Sequence, residues 1–220
     1  MKKLGMMFVA GLGLASASPA QALEFITNGN FSTGLTGWTS YNTTNGTSSP
    51  TTTSFDVTGL GATSALRLRA GQATFQGFGS TARGGGVYQM VNITLAGTYT
   101  FSADYATTAP GNLSGGIFSL MMNNVAVTNF DTGQVNGTER GSLTYSVNLA
   151  PGLYKIGVQV ARPFTSTASS NQYFDNVRLV TPTPVGYVPE PGTWLLMLAG
   201  FGVAGGMMRR QKIETRVRFS

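Results

Sequence analysis

The chain has 220 residues, of which 41% are hydrophobic and 10% charged, with 30 glycines and neither cysteine nor histidine. Those zeros exclude a thiol nucleophile, a disulfide framework, a Cys/His zinc site and a Ser-His-Asp triad. The formal net charge of +6 sits at the two ends, because residues 23–188 hold seven Lys/Arg against six Asp/Glu. A nucleic-acid footprint needs cations clustered on one face, so no nucleic-acid partner is expected.

At the amino terminus Lys2-Lys3 precede an apolar run from Leu4 to Ala15. The run falls short of the roughly 20 apolar residues of a spanning helix. Small and turn-forming residues follow, ending in Ala20-Gln21-Ala22. Basic start, short apolar run and A-x-A triplet predict an export signal over residues 1–22, cleaved after Ala22 so that the mature chain starts at Leu23. The export machinery and signal peptidase are therefore the first expected partners.

Residues 23–181 read as one β domain. Asn42 to Ser54, rich in Thr, Ser and Asn, reads as a loop. Leu66 and Leu68 alternate with Arg67 and Arg69, the period of a half-buried strand. A Gly-rich stretch follows, with Gln72, Phe75, Gln76, Phe78 and Arg83. Amides, a guanidinium and aromatics on a loop suit sugar recognition, and they equally suit a strand pair with wide turns. Tyr99, Phe101, Ala103 and Tyr105 then point one way, with Thr98, Thr100, Ser102 and Asp104 opposite. Asn123-Asn124 reads as a two-residue hairpin turn, since Asn tolerates positive φ. Glu139-Arg140 reads as a solvated turn. Leu143, Tyr145, Val147 and Leu149 alternate again, as do Tyr154, Ile156, Val158 and Val160. Leu95-Ala96-Gly97-Thr98-Tyr99 and Leu149-Ala150-Pro151-Gly152-Leu153-Tyr154 echo each other as two equivalent strand starts. One core face and one wet face per strand belong to antiparallel sheets. About eight to ten such strands predict an all-β antiparallel sandwich, a jelly roll.

Pro182 to Tyr187 reads as an extended Pro-rich linker. Beyond it come Val188-Pro189-Glu190-Pro191-Gly192, an uncharged run from Thr193 to Met208, and Arg209-Arg210-Gln211-Lys212. A Trp at one edge and arginines at the other suit a membrane anchor with a cytoplasmic stop, so a transmembrane helix is expected there, with residues 213–220 as a cytoplasmic extension. Pro189, Glu190, Pro191, Trp194 and the Arg209-Arg210 pair resemble the PEP-CTERM sorting signal of Gram-negative bacteria. That segment is also known as an ice-binding protein C-terminal domain, a label for the tail that does not imply ice binding. The resemblance covers residues 188–212. It implies an exosortase-type membrane protease as partner, an inner-membrane intermediate, and delivery to the cell surface or an exopolysaccharide-containing matrix. Leu195 departs from the alanine of one common subtype.

A second resemblance runs through the middle. Asn28-Gly29-Asn30-Phe31, Gly34, Gly37-Trp38, Tyr88-Gln89, Gly97-x-Tyr99 and Phe174-Asp175-Asn176-Val177-Arg178-Leu179 are similar to galactose-binding-like, carbohydrate-binding jelly rolls. That likeness implies a structural calcium near Asn30 and Asp175, although a strand-end Asp bonding local amides accounts for Asp175 as well. No other cofactor is called for. Trp38 is expected in the core rather than as a sugar platform. A glycosidase needs two carboxyls flanking one bond, and the six acids of this block show no paired spacing. The expected role is non-catalytic, binding or organising exopolysaccharide. A purely structural surface protein and, less favoured, a glycan-active enzyme are the alternatives.

Overall fold

The computed structural model describes residues 22–74, 82–163, 170–181 and 191–209. Contacts divide the chain into two units, residues 1–184 and 185–220.

The first unit is a sandwich of two five-stranded sheets. One sheet runs in the order β1 (Thr39–Asn42), β6 (Arg83–Ile93), β11 (Gly152–Arg162), β8 (Ile117–Met122), β9 (Val125–Asp131). The other runs β10 (Gln134–Leu149), β7 (Gly97–Ser114), β12 (Asn171–Val180), β4 (Thr63–Leu68), β3 (Thr51–Phe55). Every pairing within them is antiparallel. Two short strands, β2 (Gly46–Thr47) and β5 (Gly71–Gln72), pair on their own. The architecture is the all-β antiparallel jelly-roll sandwich that the alternation predicts.

The alternation is borne out strand by strand. Tyr99, Phe101, Ala103 and Tyr105 are buried between the sheets, as are Ile156, Val158 and Val160 from the opposite layer. Across the gap the ring of Phe118 stacks on Tyr105 at 4.6 Å and meets Phe174 edge-on at 5.2 Å. Trp38 is 8% exposed, packs beside Phe31 and donates its indole N–H to the Asn28 carbonyl. It is a core residue. The Asn123-Asn124 turn forms between β8 and β9, with φ of 49° and 68°. The echoed strand starts share one device: the Tyr99 hydroxyl donates to the Leu95 carbonyl and the Tyr154 hydroxyl to the Ala150 carbonyl.

Two local expectations are corrected. Glu139-Arg140 lies inside β10, not in a turn, where Arg140 reaches across to Asp56. Asn42 to Ser54 is threaded by β2 and β3 rather than being all loop. The Gly84-Gly85-Gly86 run lies within β6, because the neighbouring backbones come too close for a side chain: a Cβ on Gly86 would sit 1.9 Å from the Val158 carbonyl oxygen.

The opening and closing motifs touch. Glu24 takes the N–H groups of Phe25, Ile26 and Leu179 and pairs with Arg178 at 2.9 Å, tying the start of the domain to β12. Next, the Val177 N–H donates to the Gly29 carbonyl, and a Cβ on Gly29 would meet the Val177 oxygen at 1.9 Å. Only glycine lets the loop approach β12 so closely.

In the second unit the expected helix is present as α1 (Pro191–Arg209), with proline at its first position, where its missing N–H costs nothing. Its side chains from Leu195 to Val203 include exposed Leu196, Met197, Leu198 and Phe201. Among the described residues no helix is long and apolar enough to cross a membrane. The physical reason is composition: five of the 19 residues are glycine, which contribute no apolar side chain.

Gly29→Ala is expected to cost about 2 kcal/mol of stability, because the loop must retreat from Val177 and lose its hydrogen bond. Urea denaturation measures it, and an unchanged midpoint would refute the close-approach account.

Candidate functional site

The outward face of the β1-β6-β11-β8-β9 sheet gathers side chains from distant parts of the chain. Two of its cross-strand rungs carry the arrangement. Tyr41, Gly86, Gln159 and Ser119 lie side by side in one, and Thr39, Tyr88, Gly157 and Met121 in another. Directly opposed residues in antiparallel strands share a face. These alternate with the inward Val87, Val158 and Leu120, so they point away from the core.

Glycine at 86 and 157 leaves those rungs without side chains in the middle. Tyr41 crosses the gap above Gly86, and its hydroxyl donates to Gln159 Oε1 at 3.1 Å. The Tyr41 and Tyr88 rings meet edge-on at 6.0 Å. Lys155 Nζ lies 3.9 Å from the Tyr88 ring centroid and 5.0 Å from that of Tyr41, and donates to Asn124 Oδ1. Burial pushes the Tyr41 phenol up to about 12, so it stays a neutral hydroxyl at any physiological pH. Aromatic faces, an amide, a hydroxyl and a movable ammonium on one surface can stack against a ring and hydrogen-bond its hydroxyls.

Of Tyr41, Tyr88, Lys155 and Gln159, the sequence singled out Tyr88 alone, and only as part of the Tyr88-Gln89 pair of the second resemblance. Tyr41 and Gln159 are 118 positions apart. The signal that was available is the Gly84–Gly86 run with Tyr88 two residues on, once that run is read as strand.

The residues singled out from sequence fare differently. Phe75, Gln76 and Phe78 lie outside the described residues, as do Ala20, Pro189, Glu190 and Arg210. Gln72 is wholly buried in β5 and donates to the Pro163 carbonyl, so it serves the packing of that end of the sandwich. Arg83 opens β6 rather than sitting on a loop. Pro191, Trp194 and Arg209 are on α1. Ala22 and Leu23 begin the described chain, and the Leu23 carbonyl accepts the Thr181 N–H.

Asn30 and Asp175 do come together. They line a cavity of about 380 Å³ with Ser32, Thr58, Thr63, Ser64 and Asn176. Asp175 is 2% exposed. Its Oδ2 accepts from Thr63 Oγ1 at 2.6 Å and its Oδ1 from the Asn176 N–H at 2.7 Å. Burial raises its pKa, and Asp104, directly opposite on β7, pushes the same way; the two hydrogen bonds oppose the rise. Asn30 Oδ1 accepts the Ser32 N–H. Calcium wants six to eight oxygens with several charges among them. This set does not fit it: it offers one carboxylate, both of whose oxygens already take protein donors. Among the described residues no three His, Cys, Asp or Glu side chains group to hold a metal. The arrangement is a hydrogen-bonded latch between β4 and β12. Nor does the Asp104–Asp175 neighbourhood make a hydrolytic pair, since an acid this buried cannot flank a polymer's glycosidic bond.

The chain carries a PEP-CTERM protein-sorting motif at residues 188–212. It is thus an exported β-sandwich protein bearing a sorting address. No curated protein matches it. Among solved structures it is similar to the enzymatically active domain of bacteriophage CBA120 tailspike protein 4 (15% identity, 71% of this chain and 21% of that one, TM-score 0.44). It is also similar to an arabinose-bound α-L-arabinofuranosidase (13% identity, 73% and 27%, TM-score 0.45) and to a family 16 carbohydrate-binding module (15% identity, 71% and 99%, TM-score 0.41). The chain spans 21% and 27% of the first two.

A raised folded-state pKa means that Asp175 stabilises the fold below its unfolded value, near pH ~4, and that this contribution is lost as pH rises through the folded value. Asp175→Asn is therefore expected to flatten the fall in Tm between acid and neutral pH, and calcium or chelator to leave Tm of the native protein unchanged. Thermal scans across pH measure both. A calcium-dependent rise in Tm that Asp175→Asn abolishes would restore the metal.

Proposed function

We propose that this is a non-catalytic surface or matrix protein that binds or organises extracellular polysaccharide through the Tyr41–Tyr88 face. One observation carries the reading: two tyrosine rings, Gln159 and Lys155 share an outward sheet face whose central rungs have glycine in place of side chains. A sugar ring has an apolar face that stacks and a rim of hydroxyls that hydrogen-bond, and this surface offers a counterpart to each.

The sorting motif supports the setting. An exosortase-type membrane protease would act near Pro189-Glu190-Pro191, with α1 associated with the inner membrane until then. The product would be released to the cell surface or matrix. The non-catalytic reading is supported by how the acids are used. Glu24 and Asp56 pair with arginines, Asp104 accepts from Asn176, and Asp175 is buried in the latch.

The test is titration of the full-length protein with the producing cell's own exopolysaccharide. Saturable binding is expected, with Tyr88→Ala weakening it about tenfold while Tm stays close to that of the native protein. Binding that survives both Tyr88→Ala and Tyr41→Ala would move the contact off this face. No saturable binding would leave a purely structural surface protein.

A further inference from the structure

The two arginines at the far end of β6 and β11 stand apart from the other cations of the domain. Arg83 and Arg162 are directly opposed in the last rung of that strand pair. Val87 with Val158, and Gly85 with Val160, occupy the preceding rungs of the same face. That face is the core side, so strand alternation turns both guanidiniums inward.

Arg162 is 1% exposed. Its Nε donates to the Ser114 carbonyl at 2.8 Å, and its Nη1 lies 3.4 Å from the Ala70 carbonyl. Both partners are uncharged. Burial lowers its pKa from the ordinary arginine value. Arg83 Nε is buried and, among the described residues, has no hydrogen-bond partner.

Neither guanidinium has a carboxylate within ion-pair reach among the described residues, where the ion pairs are Arg140–Asp56 and Arg178–Glu24. The sequence offers none close by, because residues 70–86 and 160–173 contain no Asp or Glu. A buried cation with no counter-charge is costly, and Arg162 is one, with the half-buried Arg83 opposed to it on the neighbouring strand. Arg162 also lines a cavity of about 500 Å³, bounded by Ser114, Asn112, Gln134, Ile117 and Asp131. Asp131 is exposed, and its Oδ1 already accepts the Gly133 N–H.

We infer that this end of the sandwich is an anion subsite, in which Arg83 and Arg162 take the carboxylate of an acidic sugar residue, so that the bound polysaccharide is uronic-acid-bearing. The inference rests on the glycan-binding reading and adds the chemical class of the ligand. Guanidinium forks match planar carboxylates with two parallel hydrogen bonds. The amides of Asn112 and Gln134 on the cavity wall suit the hydroxyls of the same sugar. Asp131 would repel the acid group and so tune its affinity.

The test compares the full-length protein's affinity for an oligogalacturonate and for its uncharged methyl ester, with galacturonate monomer as a third probe in thermal scans. The acid form is expected to bind about tenfold more tightly than the ester, and Arg83→Gln to erase that difference. Arg83→Lys should restore part of it, and Asp131→Asn should strengthen acid binding. The monomer should raise Tm of the native protein and not of Arg83→Gln. Arg83 is the residue to change because Arg162 is enclosed and its loss could unfold this end. Equal affinity for acid and ester, or a difference that survives Arg83→Gln, overturns the inference. If both forms bind equally and Tyr88→Ala weakens both, the glycan reading stands and the anion subsite falls. If neither polymer binds but the monomer shift persists and depends on Arg83, the subsite stands and the glycan reading falls.

Discussion

The structure depends on the contact that closes the two sheets, the ring of Phe118 against Tyr105 and Phe174. These aromatics bury more apolar area per residue than any aliphatic side chain, and edge-on and offset geometries add to that. Phe118 pairs in register with Val160. Once it points inward, the period of two fixes every other position on β8, β11 and β6. A slip of one residue would bury Lys155, Gln159 and Tyr88 and expose Val87, Val158 and Val160. The core therefore decides which residues can be functional.

This constraint explains both candidate surfaces. Tyr41, Tyr88, Lys155 and Gln159 face out because their neighbours face in. Arg83 and Arg162 face in because they are the last members of rows that the core needs. The chain keeps arginine there, where another aliphatic would continue the row. A buried charge retained at the end of an apolar row is hard to explain by stability, since isosteric apolar residues are often as good or better. The ion-paired arginines among the described residues, Arg140 and Arg178, sit at the surface with Asp56 and Glu24 beside them. Its few acids are thus spent elsewhere, and Arg162 is left to the neutral carbonyls of Ser114 and Ala70.

The strands were legible because their alternation is local. Tyr99 to Tyr105 and Tyr154 to Val160 each announce a half-buried strand within a few residues, and Asn123-Asn124 announces its turn. The echoed Leu95 and Leu149 segments were visible too, but the reason for the echo, a tyrosine hydroxyl reaching back to a carbonyl, needs the fold. Gly84 to Gly86 carries no alternation to read, so loop and strand stayed equally open there, and what makes it strand is the nearness of β11, about seventy positions away in the chain. The Tyr41 face was illegible for the same reason, since register between β1, β6 and β11 is set by the whole core and not by any window around Tyr41. Asp175 and Asn30 could be placed together only through a resemblance, and whether they hold a metal turned on which donors already occupy the carboxylate. That is a matter of geometry, not of sequence.

Strands β6 and β11 supply both regions, and the two differ in physical character. The Tyr41–Tyr88 face works mainly by stacking and hydrogen bonds, with the Lys155 ammonium beside the rings; the Tyr41 phenol, pushed up to about 12, stays neutral, and stacking depends little on salt. The Arg83–Arg162 end works by charge. Charges near a protein surface are screened over about 8 Å at physiological ionic strength, and buried ones much less. A polymer engaging both would keep its neutral contacts at any ionic strength and lose only the part of its attraction that acts through solvent. Affinity that falls modestly with salt and then levels off would mark this combination. A steep, continuing fall would mark simple attraction between a cationic tail and an anionic polymer, because the net positive charge of this chain lies at its ends and not in the sandwich. The salt profile thus separates binding by the fold from binding by the address.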